Sequence, residues 1–189
     1  LTQEFVENIF TCSPLHDIGK VGIPDAILNK PGRLTPEEFD LMKLHSSIGG
    51  DTLRDIERRL NWGESTFLSM GKEIAYTHHE KWDGSGYPAG LIGADIPLAG
   101  RIMAVADVYD ALTSKRCYKD AMPHENARSI IVEGRGTHFD PQLVDAFLAC
   151  EAQFVAIREA FDGAAFPHES HNRFLAYFQN TLRPVEVGQ

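Results

Sequence analysis

T-P-E-E-F-D-L-M-K-L-H-S-S-I-G-G-D-T-L-R-D-I-E-R-R-L, residues 35–60, reads as one long helix. Thr35 can cap it, Pro36 suits the first helical position, and the Glu37–Glu38 pair supplies a capping-box glutamate. Phe39, Met42, His45, Gly49, Leu53 and Ile56 recur at three and four residues and are predicted to face inward. One of these inward positions is an imidazole. A lone histidine on an apolar face is more often hydrogen-bonded core than ligand, so His45 alone decides nothing.

The same spacing continues on both sides. Upstream, Phe5, Ile9, Cys12 and His16 trace an inward stripe, and Pro14 predicts a kink or a restart within it. Val21 to Leu34, with two glycines and two prolines, reads as a loop. Downstream, helices are expected over about Ser65–His79, Leu98–Ser114 and Pro123–Glu133. Phe67, Met70, Gly71, Ile74 and His78 form the inward face of the first of these. Asp140-Pro141 caps a further helix carrying Leu143, Val144 and Phe147, and residues 151–189 read as one or two more. Neither strand alternation nor an internal repeat is visible. The fold expected is all-α, about six to eight helices, with 1–150 as the main domain and 151–189 as its helical extension.

Bulk composition narrows the function. The 189 residues are 43% hydrophobic and 24% charged, enough for one domain with a sizeable core. No apolar run reaches the length of a membrane span. The three cysteines, Cys12, Cys117 and Cys150, lack C-x-x-C spacing, which suits a reducing, cytoplasmic setting. A net charge of −9 argues against binding a nucleic acid backbone. It leaves room for a small anion, because bound cations reverse a local field.

The chemistry sits where helix faces turn ionisable. H-D-I-G-K spans His16 to Lys20, and H-H-E-K-W-D-G-S-G-Y-P spans His78 to Pro88. Asp107 interrupts the apolar run Ile102–Leu112 and shares a face with Asp110 and Ser114. Ionisable groups on a core face cost several kcal/mol unless paired or metal-bound. Each has an ordinary reading: a capping aspartate, a polar helix end, a salt bridge from Asp107 to Arg101 or Arg116. Together, His16, Asp17, His45, His78, His79 and Asp107 are explained most simply by a cluster of two or more metal ions. Lys20, Arg116 and Lys119 flank these positions and could bind phosphate. Tyr87 could stack on a base or donate to a phosphate. His168-x-x-His171 reads as surface, His124 as a helix first turn, and His138 as a loop-fixing residue.

These motifs, with K-P-G-R-L-T-P-E-E-F, D-V-Y-D-A-L-T-S-K-R-C-Y-K and G-T-H-F-D-P in register from His16 to about Phe147, resemble the HD-GYP domain of the HD superfamily of metal-dependent phosphohydrolases. The resemblance implies an all-helical bundle around two or three divalent transition metals: iron, manganese or nickel. It implies hydrolysis of cyclic di-GMP to pGpG, and onward to GMP, by a hydroxide held between the metals. By position, Asp17 would bridge, His16 and Asp107 would complete one site, and His45, His78 and His79 the other. Lys20, Gly86, Tyr87, Asp110, Arg116 and Lys119 would meet the substrate, with Asp17 and Lys20 as the catalytic pair. An upstream ligand is also implied, but nothing in Leu1–Leu15 fits it, although Glu4 and Glu7 are present. Cys117 stands where the family usually has proline. The family is commonly fused to sensory or receiver modules, so a regulatory domain ahead of Leu1 is expected. A partner cyclase of the GGDEF type and an oligomer are further expectations. The rival readings are a catalytically weak dinucleotide receptor or docking module, and a hydrolase of another cyclic dinucleotide such as cyclic GMP-AMP.

Overall fold

The structure is a computed structural model, and it describes residues 1–60, 66–114 and 121–161. Seven α-helices lie in the described residues: α1 Gln3–Cys12, α2 Asp25–Leu28, α3 Pro36–Leu60, α4 Thr66–Thr77, α5 Leu98–Thr113, α6 His124–Glu133 and α7 Pro141–Phe161. Among those residues no β-strand forms, only isolated bridges at Asp83–Ile92 and Arg135–Phe139. None of the helices is long and apolar enough to cross a membrane. The chain falls into two compact units, Leu1–Ala152 and Gln153–Gln189. The first carries every group discussed below. In the second, the described part continues α7, which departs from helical dihedrals at Cys150.

Local signals account for most boundaries. Thr35 Oγ1 accepts from the Glu38 amide at 3.3 Å, and the Glu38 carboxylate accepts from the Thr35 amide at 2.7 Å. That is the expected capping box closed in both directions. Asp140 caps α7 through the Gln142 amide at 2.8 Å. Pro14 marks a restart: α1 ends at Cys12, and Ser13–Gly22 winds as a 3₁₀ helix. His16 therefore rides on the tighter helix rather than on α1.

The core lies where α1, α4 and α5 meet. Cys12, Ile74, Ala99 and Met103 are buried there, flanked by Phe5, Ile9, Phe67 and Met70. A second cluster joins α3 to α4 through Leu53, Leu68 and Ala75. The 3₁₀ helix packs onto α3 so closely that a Cβ on Gly19 would collide with the His45 carbonyl and the Gly49 amide. Only glycine fits there, and the contact sets Asp17 against His45.

Two expectations are corrected. Val21–Leu34 is not all loop, since the 3₁₀ helix runs to Gly22 and α2 occupies Asp25–Leu28. Phe39 and Ile56 do not face the core; they are exposed. Both sit toward the ends of a 25-residue helix. The Arg101 guanidinium, offered as one ordinary partner for Asp107, binds Asp140 at 2.7 Å.

Candidate metal centre

Four elements converge on one spot. The 3₁₀ helix brings His16 and Asp17, α3 brings His45, the end of α4 brings His78 and His79, and α5 brings Asp107. His45 and His78 are each only 1% exposed. The Nε2 atoms of these two rings lie 3.3 Å apart, and His79 joins them in a set whose ligand atoms all fall within 4.8 Å of one another.

The outer nitrogens are already engaged. His16 Nδ1 donates to the Ser13 carbonyl at 2.7 Å, and His45 Nδ1 to the Met42 carbonyl at 2.7 Å. His78 Nδ1 lies 3.0 Å from the Ile74 carbonyl and 3.1 Å from that of Ala75. A carbonyl only accepts, so each neutral ring carries its proton on Nδ1 and turns a bare Nε2 lone pair inward. Two facing lone pairs at hydrogen-bond distance repel unless a cation lies between them. A proton is a poor candidate for that place. Burial lowers His45, and burial with the charges of His16 and His45 takes His78 to about 4. Burial, helped by His78 and His45, takes His79 to about 2. This donor set fits a divalent metal ion, with the backbone carbonyls behind the rings orienting them.

Asp17 divides its two oxygens. Oδ1 lies 3.5 Å from His45 Nε2 and 4.0 Å from His78 Nε2. Oδ2 lies 3.2 Å from His16 Nε2 and accepts from Lys20 Nζ at 2.5 Å. Burial pushes this carboxyl up, but the hydrogen bonds from His16 and Lys20 outweigh it and hold it well below the usual carboxylate range. His16 moves the other way: burial opposes its charge, while Asp17, the Ser13 carbonyl and Asp107 together raise it. Asp107 Oδ1 stands 3.8 Å from His16 Nε2.

Tyr87 closes one side, its ring 4.8 Å from that of His79. Burial, then the charges of Asp107 and Asp17, push its phenol above its usual range, so it stays a protonated donor. Gly86 is set against the backbone of Glu80 and Lys81, where a Cβ would collide. Asp110 lies further along α5, exposed, and accepts from Ser114 Oγ at 2.9 Å. Arg116, Cys117, Lys119, His168 and His171 lie outside the described residues. Glu4 and Glu7 are exposed on α1. His124 opens α6 with Nδ1 3.0 Å from the Tyr109 hydroxyl. His138 stacks on Phe139, and its carbonyl accepts from the Trp82 amide at 3.1 Å.

Sequence reasoning missed Glu80. It is 2% exposed, and its carboxylate accepts from the amides of Ala89, Gly90 and Leu91 at 2.7, 3.1 and 3.1 Å. One buried acid thus folds the glycine-rich loop back beside the histidine pair. Its signal was its place directly after His78-His79 in a motif that was otherwise read closely.

A family model described as an HD domain matches residues 1–143. A cyclic di-GMP phosphodiesterase of Vibrio cholerae is 59% identical over 165 residues, covering 87% of this chain and 33% of that protein. A 3′3′-cGAMP-specific phosphodiesterase 2 of the same species is 48% identical over 158 residues, covering 84% of this chain and 29% of that protein. The chain thus spans about a third of the length of these curated relatives. The crystal structure of a cyclic GMP-AMP specific phosphodiesterase from V. cholerae superposes with a TM-score of 0.56 at 22% identity, covering 86% of this chain and 42% of that one. That likeness shows a shared fold. With the family model spanning most of the chain and the H-D pair of its name at His16-Asp17 in the centre of the site, this chain belongs to the HD domain family.

Proposed function

We propose that this chain is the catalytic part of a metal-dependent phosphodiesterase that hydrolyses cyclic di-GMP to pGpG and GMP. The observation that carries the reading is the pair of buried imidazoles turning bare Nε2 atoms at each other, with Asp17 reaching across to both sides. The substrate follows from the V. cholerae relative of that name and from the H-D and G-Y-P motifs in register.

His45, His78 and His79 would hold one ion, His16 and Asp107 another, and Asp17 would bridge; iron, manganese or nickel suit this nitrogen-rich set. Bound there, divalent ions supply Lewis acidity at a phosphoryl oxygen and a water acidic enough to attack near neutral pH. Lys20 hydrogen-bonds Asp17 and is placed to give a proton to the departing ribose 3′ oxygen. Tyr87 donates to a phosphoryl oxygen, and Gly86 lets the loop carrying it lie close. Arg116 and Lys119 neutralise charge on the phosphates, and Asp110 contacts substrate at the outer edge. We take 1–150 as the catalytic domain and 151–189 as its extension. The protein would be cytoplasmic and under a receiver or sensor domain, with a GGDEF-type cyclase as a candidate partner.

Elemental analysis of the purified protein, followed by a timed cyclic di-GMP digest, tests this. Two or three transition metals per chain with pGpG or GMP appearing is the expected result. Metal without product, after anaerobic loading with iron or manganese, would overturn catalysis in favour of a receptor role. Faster turnover of 3′3′-cGAMP would favour the second reading, which the 48% identical relative supports.

A further inference from the structure

Helical spacing sends Phe39 into the core, yet the ring is 46% exposed. It is not an isolated surface apolar group. Its ring meets that of Tyr87 edge to face, centroids 6.3 Å apart, and Tyr87 in turn lies against His79 at 4.8 Å. A ladder of rings therefore leads from the histidine cluster to solvent. Lys43, one turn along α3, holds its ammonium 4.9 Å from the Phe39 centroid and 5.9 Å from that of Tyr87. Asp40 binds the same ammonium at 2.7 Å while its own side chain stays 72% exposed. An aromatic face, a donor and an acceptor thus share one exposed patch of α3 at the rim of the centre.

We propose that Phe39, Asp40 and Lys43 seat a guanine base of the dinucleotide, an inference that rests on the phosphodiesterase reading. A ring open to solvent offers a stacking surface to any base. The polar pair then selects. Guanine presents acceptors at O6 and N7, and Lys43 keeps two N–H donors after serving Asp40. Guanine also presents donors at N1 and its 2-amino group, which suit the Asp40 carboxylate. Adenine keeps N7 but replaces O6 with an amine, turns an unprotonated N1 toward the carboxylate and lacks the 2-amino group. Its 6-amine would then face the ammonium and its N1 the carboxylate, two repulsive contacts, which is how such sites reject the wrong ligand. The seat adjoins the histidine cluster through Tyr87, whose ring lies 6.3 Å from that of Phe39 and 4.8 Å from that of His79. A 3′3′-cGAMP molecule could place its one guanine here; cyclic di-AMP could not.

The test uses the metal-loaded chain and the variants Phe39→Ala, Phe39→Tyr, Asp40→Asn and Lys43→Glu. All three positions are exposed or nearly so, and metal content with melting temperature shows whether each variant folds. KM and kcat are read on cyclic di-GMP and cyclic di-AMP. Phe39→Ala should raise KM for cyclic di-GMP about 10-fold, the loss expected when a stacking platform goes, and Phe39→Tyr should restore it. Lys43→Glu and Asp40→Asn should each shrink the preference for cyclic di-GMP over cyclic di-AMP by about 10-fold, the scale of one base-edge contact. Unchanged KM values, or equal losses on both substrates with the preference intact, would overturn the seat and leave a merely structural rim. If the wild type hydrolyses neither dinucleotide, it is the phosphodiesterase reading that fails. The seat is then judged by binding of GMP against AMP: a wild-type preference for GMP that Lys43→Glu abolishes sustains it, and no preference overturns it.

Discussion

Asp17 is the residue on which both halves of the site depend. One oxygen faces His45 and His78 while the other faces His16 and Lys20. Asp17→Ala should abolish turnover and reduce bound metal, because neither histidine group alone spans the gap; elemental analysis and a product assay check both, and full activity would refute the assignment. The H-D pair gained its meaning in the sequence only alongside the other ionisable groups, because a core histidine with a capping aspartate gives the same pattern. His45 alone decided nothing, because its meaning depends on His78, which lies 33 positions away and reaches it only through the packing of α3 against α4. Glu80 was overlooked for a related reason. An acid after a helix end usually stays in water, and the three amides it serves lie nine to eleven residues on, across a loop that periodicity does not describe.

Single elements carry two further predictions. Gly19→Ala would drive a methyl into the backbone of α3. The 3₁₀ helix must then lift away, at a cost of about 3 kcal/mol for an overpacked contact, and Asp17 moves off His45. The urea midpoint should fall and metal content with it, whereas a wild-type midpoint would show that the contact yields freely. Glu80→Ala should strand three loop amides. Their hydrogen exchange, slow in the wild type, should accelerate at Ala89, Gly90 and Leu91 while α4 stays protected. Exchange unchanged at those amides would remove Glu80 from its loop-holding role. Helix starts were readable because capping is local: Thr35 and Glu38 stand three residues apart, and the turn they close lies between them. The outward placement of Phe39 and Ile56 was not, because a period names a face without saying where along it a neighbour stops.

At the scale of the whole molecule, global stability should carry a titration that has nothing to do with the metal centre. Burial, then the nearby Lys81, lowers His138 to about 4, against an ordinary value of 6.5. The folded chain keeps the ring neutral, while the unfolded chain takes up a proton as pH drops below about 6.5. The stability is therefore full above that pH and is lost progressively as pH falls toward 4. His138→Phe, which keeps the stack on Phe139, should lose less between pH 7 and pH 5, by about 1 kcal/mol after allowance for the partial exposure of the ring. Parallel urea melts of the two proteins at each pH decide it, and identical losses would dismiss the linkage. Helical class, most helix limits and the HD family were all written into short stretches of the chain, because caps, periods and motif registers act over a few residues. Convergence was another matter. That Glu80 would be buried and that Phe39 would reach solvent depended on which helix packs against which. Those contacts join residues tens of positions apart, and no short-range pattern encodes the distance between them.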